Sequence, residues 1–146
     1  MNTKLTNIAQ LIASAIWADG EYDEAEKIAV TEIAEALEFD AAEFNTAIDV
    51  EIAKIKDLSE EEVADYIITA CEGVEEEETE IVFEAVLQMI ISDNVLASAE
   101  VSTALAIAEA LDIEQETAIL LLADLVKSEP ELEIEFKSIY FLTFKF

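Results

Sequence analysis

Ile33-Ala34-Glu35-Ala36-Leu37 recurs letter for letter as Ile107-Ala108-Glu109-Ala110-Leu111, an offset of 74 residues. Five identities could arise by chance in a helix rich in Ala, Glu and Ile. The offset, however, holds well beyond them. Ile16-Trp17-Ala18-Asp19-Gly20 falls on Ile90-Ile91-Ser92-Asp93-Asn94, and Ala25-Glu26 falls on Ala99-Glu100. Glu38-Phe39-Asp40 matches Asp112-Ile113-Glu114 in character, and Ile8 and Ile12 fall on Val82 and Val86. One unit is therefore used twice, as helix, acidic break, helix, short turn, helix.

The apolar residues of each segment recur at helical spacing. Leu5, Ile8, Leu11, Ile12, Ala15 and Ile16 set a first helix over about 3–18, which Asp19-Gly20 breaks. Asp23 and Glu26 suit the capping box of a second helix reaching Leu37, with Ile28, Ile33, Ala34 and Leu37 inward. Asp40 suits the N-cap of a third helix to about Lys56, and Ser59 with Glu62 suits the box of a fourth that Gly73 ends. A fifth helix should start in the acids of 75–80 and run to Ile91. A sixth spans about 98–111 and a seventh about 114–127, before Pro130. The expected architecture is all-α: one domain of about seven short helices, built from repeat units at 5–56 and 79–127, with a tail at 131–146.

Composition agrees with this. The chain has 146 residues, 53% of them hydrophobic, with two Gly and one Pro, which is too few turn residues for repeated β-hairpins. Thirty-five Asp and Glu face seven Lys, with no Arg and no His, giving a net charge of -28. Such a surface repels phosphate backbones and anionic lipid heads, which excludes direct nucleic-acid binding and polybasic membrane docking. Without His there is no Ser-His or Cys-His nucleophile, no HExxH zinc site and no ExxH di-iron site. Cys71 is the sole cysteine and lies in an apolar helical phase, so it reads as a packed core thiol. Lys4 and the apolar stretch up to Ala13-Ser14-Ala15 have the outline of a leader peptide. Asn7 and Gln10 interrupt that stretch, and its counterpart recurs downstream, so it reads as a mature helix. No stretch has the about 20 apolar residues of a membrane span, and the cytoplasm is the expected location.

Five of the eleven aromatics, Phe136, Tyr140, Phe141, Phe144 and Phe146, lie in the last eleven residues. A free tail of this kind would aggregate. It packs either into its own bundle or into a second copy, making a homodimer.

Ala18-Asp19-Gly20 followed by Glu26, in the frame ADGEYDEAE, resembles the TerB-like tellurite-resistance family. The resemblance covers about residues 8–126 and implies a helical bundle of pseudo-repeated units. It also implies a non-enzymatic module of bacterial or phage stress systems that binds a divalent cation through acidic residues and acts within protein assemblies. The positions it points to are Asp19 and Glu26, and through the repeat Asp93 and Glu100. Ca²⁺ and Mg²⁺ take oxygen ligands, and Glu21 and Asp23 could add theirs. The frame is not an EF-hand. In the second unit Glu21 and Asp23 become Val95 and Ala97, so a second site would be weaker, whereas Asn94 can replace Gly20 in a left-handed turn.

The same acids also serve as helix caps, which needs no metal. The runs at 60–62 and 75–80 read as a solvated face. A protein partner is expected for the acidic surface. One alternative is a nucleic-acid mimic that occludes a basic DNA- or RNA-binding protein. Carboxylate-pair catalysis is the least favoured, because no nucleophile is paired with a base.

Overall fold

The computed structural model describes residues 3–19 and 22–135, with side chains described from 4 to 18 and from 22 to 135. Gly20, Glu21 and the tail from Phe136 onward, with its two expected packing modes, lie outside the described residues. Seven α-helices are present among the described residues: α1 (Thr3–Asp19), α2 (Glu24–Ala36), α3 (Ala41–Ile55), α4 (Glu60–Glu72), α5 (Thr79–Ile90), α6 (Ser98–Ala110) and α7 (Gln115–Ser128). The repeat is visible in the element bounds. Shifted by 74, α2 lands on α6 at both ends, and the start of α3 lands on the start of α7.

The turns repeat as well. α2 and α6 both end in a left-handed residue, Glu38 at φ 64° and Asp112 at φ 63°. Glu38 N–H donates to Glu35 O and Phe39 N–H to Ala34 O at 3.1 and 2.8 Å. Asp112 N–H donates to Glu109 O and Ile113 N–H to Ala108 O at 3.0 and 2.9 Å. These are paired Schellman turns that satisfy the last carbonyls of each helix, with Phe39 and Ile113 tucked against the core. Neither has the glycine usual at this position.

α1 is the central element. The six residues of its expected stripe are buried, and so are Ala9, Ala13 and Ser14. A helix that is apolar around most of its circumference belongs inside, and α1 packs against α3, α4, α5 and α6. Ser14 Oγ donates to Gln10 O at 2.9 Å, so its hydroxyl is satisfied within the helix. Gly73 closes α4 against α1, where a Cβ would overlap the amide of Asn7. Its role is close approach rather than unusual dihedral angles. Cys71 is buried, points at Ile107 O (3.9 Å) and has its thiol pushed up to about 12 by burial, as befits a core residue.

Two local expectations are corrected, and one feature is added. The acids at 75–80 do not open the fifth α-helix directly. Glu76–Glu78 form a 3₁₀ turn, and α5 starts at Thr79. Ile28, expected inward, is 57% exposed, because α2 buries Glu26, Ala29, Val30, Ile33 and Ala34 instead. The break after α5 and the start of the tail form short strands. β1 (Val95–Ala97) pairs in parallel with β2 (Glu133–Glu135), Leu96 opposite Ile134.

Candidate functional site

The acidic breaks sit at equivalent helix starts. Asp23 is the N-cap of α2: Glu26 N–H donates to Asp23 Oδ1 at 3.3 Å, and Asp23 N–H donates to Glu26 Oε1 at 3.4 Å. In the second unit Ala97 has no side-chain acceptor, so only half of the box survives. Ala97 N–H donates to Glu100 Oε1 at 3.0 Å. Glu26 and Glu100 are each only 3% exposed. A buried carboxylate is costly unless hydrogen-bonded, and backbone donors at a helix start contribute part of that compensation.

Asp93 stands just past α5, and its Oδ1 accepts from Val95 N–H at 3.0 Å, an Asx turn. Asn94 adopts the left-handed conformation at φ 65°, as expected of a residue replacing Gly20. Asp19 is the last residue of α1, but its side chain and all of Glu21 lie outside the described residues. The first break thus brings together Asp23 and Glu26. Among the described residues, no three Asp, Glu, Cys or His side chains converge as a metal-ion cluster. The carboxylate oxygens of Asp23 and Glu26 are of the chemical type that a hard cation takes.

Tyr22 lies beside this break. Lys27 Nζ sits 5.6 Å from its ring centroid. Burial, aided by the charges of Asp49 and Glu26, pushes the phenol up to about 12.

Sequence reasoning missed a third buried carboxylate, Glu51 on α3, at 3% exposure. Tyr66 on α4 donates its hydroxyl to Glu51 Oε1 at 2.6 Å, and Lys54 Nζ reaches Oε2 at 3.3 Å. Burial raises the Tyr66 phenol well above its ordinary value, and the bond to Glu51 and its charge add to this. Glu51 is engaged in holding α3 to α4. Its helical phase was the available signal: Glu51 stands four residues past Ala47, three past Ile48 and four before Ile55, on the buried stripe of α3.

A groove of about 710 Å³ lies between α2, α5 and α7. Leu87, Leu121 and Leu125 form its apolar floor, and Ile28 projects beside them. Its rim carries one exposed carboxylate from each helix: Glu32 on α2, Glu84 on α5 and Asp124 on α7. The groove exists because α7 is shallowly seated. Of its fourteen residues only Ala118 is buried, and Leu120 is 68% exposed. The sequence signal for it is a surplus of apolar residues on α7, where Ile119, Leu120, Leu121 and Leu122 run consecutively, more than one helical face can bury.

Among the described residues, no helix is long and apolar enough to cross a membrane. No family model, curated protein or solved structure matches this chain.

Proposed function

We propose that this chain is a non-enzymatic, TerB-like binding module that captures a protein segment in the α2/α5/α7 groove, with a divalent cation held at the first acidic break. The observation that carries the partner reading is the groove itself. It combines an apolar floor with four carboxylates, one from each bounding helix and Glu129 just past α7. That combination suits an apolar segment carrying Lys or Arg, and it disfavours an acidic one.

The cation reading rests on the resemblance and on one difference between the units. Glu26 Oε1 accepts from Asp23 N–H at 3.4 Å, whereas Glu100 Oε1 accepts from Ala97 N–H at 3.0 Å. A buried carboxylate in an acid-rich frame is the better candidate ligand, and the second unit has lost the acids at 95 and 97. The mimic reading finds less support, because exposed carboxylates occur on every helix from α2 to α7 rather than on one phosphate-like face.

The partner reading is tested by calorimetric titration with two synthetic peptides, one alternating Lys with Phe and one alternating Glu with Phe. The basic peptide should bind, and the acidic one should not. Glu84→Lys combined with Asp124→Lys should weaken binding about tenfold, as expected for two rim ion pairs at about 0.5–1 kcal/mol each. Equal binding of both peptides, or no effect of the charge reversals, would remove the groove from the proposal.

A further inference from the structure

α4 touches three other helices of the bundle at points that the repeat can carry across. Gly73 closes it against Asn7 on α1, Tyr66 donates to Glu51 on α3, and Cys71 Sγ points at Ile107 O on α6. Moved by 74 residues to the other unit, Asn7, Glu51 and Ile107 become Ile81 on α5, Leu125 on α7 and Ile33 on α2. Those are the three helices that bound the groove, and Leu125 lines it. The second triplet thus repeats the seat on which α4 lies. Resting on the groove as a binding site, we propose that its occupant is a basic amphipathic α-helix of a partner protein, lying against α5 and α2 as α4 lies against α1 and α6.

Exposure fits a seat of that size. Ile81, Glu84, Gln88 and Ile91 follow one another at three or four residues, so Ile81 carries the groove face of α5 one turn toward its start. Ile81 and Ile28 are both more than half exposed, and Leu121 and Leu125 are half-buried. α4 also supplies the pattern of a helix that fits. It buries Val63, Ile67, Ala70 and Cys71, a spacing of i, i+4, i+7 and i+8.

Charge then selects the occupant. The groove carboxylates Glu32, Glu84, Asp124 and Glu129 stand where the first unit has Ala106, Gln10, Val50 and Ile55. The first seat is neutral at those points, and the helix on it carries five acids: Glu60, Glu61, Glu62, Asp65 and Glu72. Four carboxylates at the same points repel a helix of that charge and attract one with Lys or Arg beside its apolar stripe. A second copy of a chain of net charge -28 is disfavoured for the same reason.

The test titrates the full chain calorimetrically with two peptides of α4's length, 13 residues, and of one Leu, Ala and Lys composition. One sets its leucines at i, i+4, i+7 and i+8, the other at every second position. The helical phase should bind about tenfold more tightly and should gain helix on binding in far-ultraviolet difference spectra, because so short a peptide is marginal alone. Ile81→Ala, in the seat, should weaken its binding about fivefold. Ile68→Ala, equally exposed but on α4, should not. Equal binding of the two phases, or tighter binding of the alternating one, ends the helix, and its loss in Glu84→Lys/Asp124→Lys would leave the groove as a site for extended segments. Helical-phase binding that Ile81→Ala leaves unchanged also overturns the inference, because the helix then lies elsewhere. Self-association of the chain that the peptide dissolves would make the occupant a second copy and overturn it too. Binding of neither peptide ends this inference and the groove reading together.

Discussion

The repeat relates two helix triplets, α1–α3–α6 and α5–α7–α2, yet they pack very differently. In the first, Ala13, Ser14, Ala47 and Glu51 are buried, and α1 packs on both α3 and α6. Their counterparts, 74 residues on, are Leu87, Gln88, Leu121 and Leu125. Gln88 is exposed, and Leu121 and Leu125 are only half-buried. Small residues let backbones approach, while larger ones hold α7 off α5 and α2. The same three-helix plan therefore yields a sealed core in one place and a lined groove in the other. Duplication here leaves one copy as packed core and the other lining an open groove.

The comparison is broken most directly by matching cavities. Ile48 on α3 is fully buried, and its counterpart is Leu122 on α7, half-buried. Ile48→Ala should cost about 3 kcal/mol of unfolding free energy, as a large-to-small change in a sealed core. Leu122→Ala should cost about 1 kcal/mol, because water already reaches much of that side chain. Urea unfolding of both variants checks this. Equal losses would mean that α7 packs as tightly as α3 and that the groove is shut in solution.

The two breaks differ next. A cation bound at about a hundredfold its dissociation constant adds about 2.7 kcal/mol to stability. Gln can accept the same backbone hydrogen bond as Glu, so Glu26→Gln keeps the cap and removes only the charge. Thermal unfolding in Ca²⁺ and in Mg²⁺ at fixed ionic strength should show wild type and Glu100→Gln stabilised, with the gain lost in Glu26→Gln and in Asp19→Asn. If all four respond alike, the effect is screening of an acidic chain, and the acids are caps alone.

Much of the architecture was legible because the repeat carried it. Two units in register locate six helices, and the Asp23, Asp40 and Ser59 caps form as their spacing implied. What stayed illegible depends on contacts between distant segments. Ile28 looks inward by periodicity but lines the groove, because α7 does not cover it. β1 and β2 are three residues each and exist only by pairing across 38 positions, from Val95 to Glu133. Glu51 is buried because Tyr66, fifteen residues on, brings it a donor. In the candidate site the capping roles of Asp23 and Glu26 could be read from spacing. The burial of Glu26 could not, since it depends on how the breaks pack.

The finest difference lies in the paired Schellman turns, whose left-handed residues carried no glycine to announce them. Both turns hold a side chain at φ near 64°. A left-handed residue with a Cβ costs roughly 1–2 kcal/mol, less for Asp, whose short side chain tolerates this region. Glycine removes the strain but loses more backbone entropy on folding, of order 0.5–1 kcal/mol. Glu38→Gly should therefore stabilise by about 1 kcal/mol, near 3 °C in melting temperature for a domain of this size. Asp112→Gly should gain about half of that. Glu38 is exposed, so the change removes no buried contact. Calorimetric melting of the two single variants and their double gives the answer, and the gains should add, since the turns are separate. A neutral or destabilising Glu38→Gly would mean that its side chain does something the backbone geometry does not account for. The first unit would then differ from the second at its turn as well as at its break.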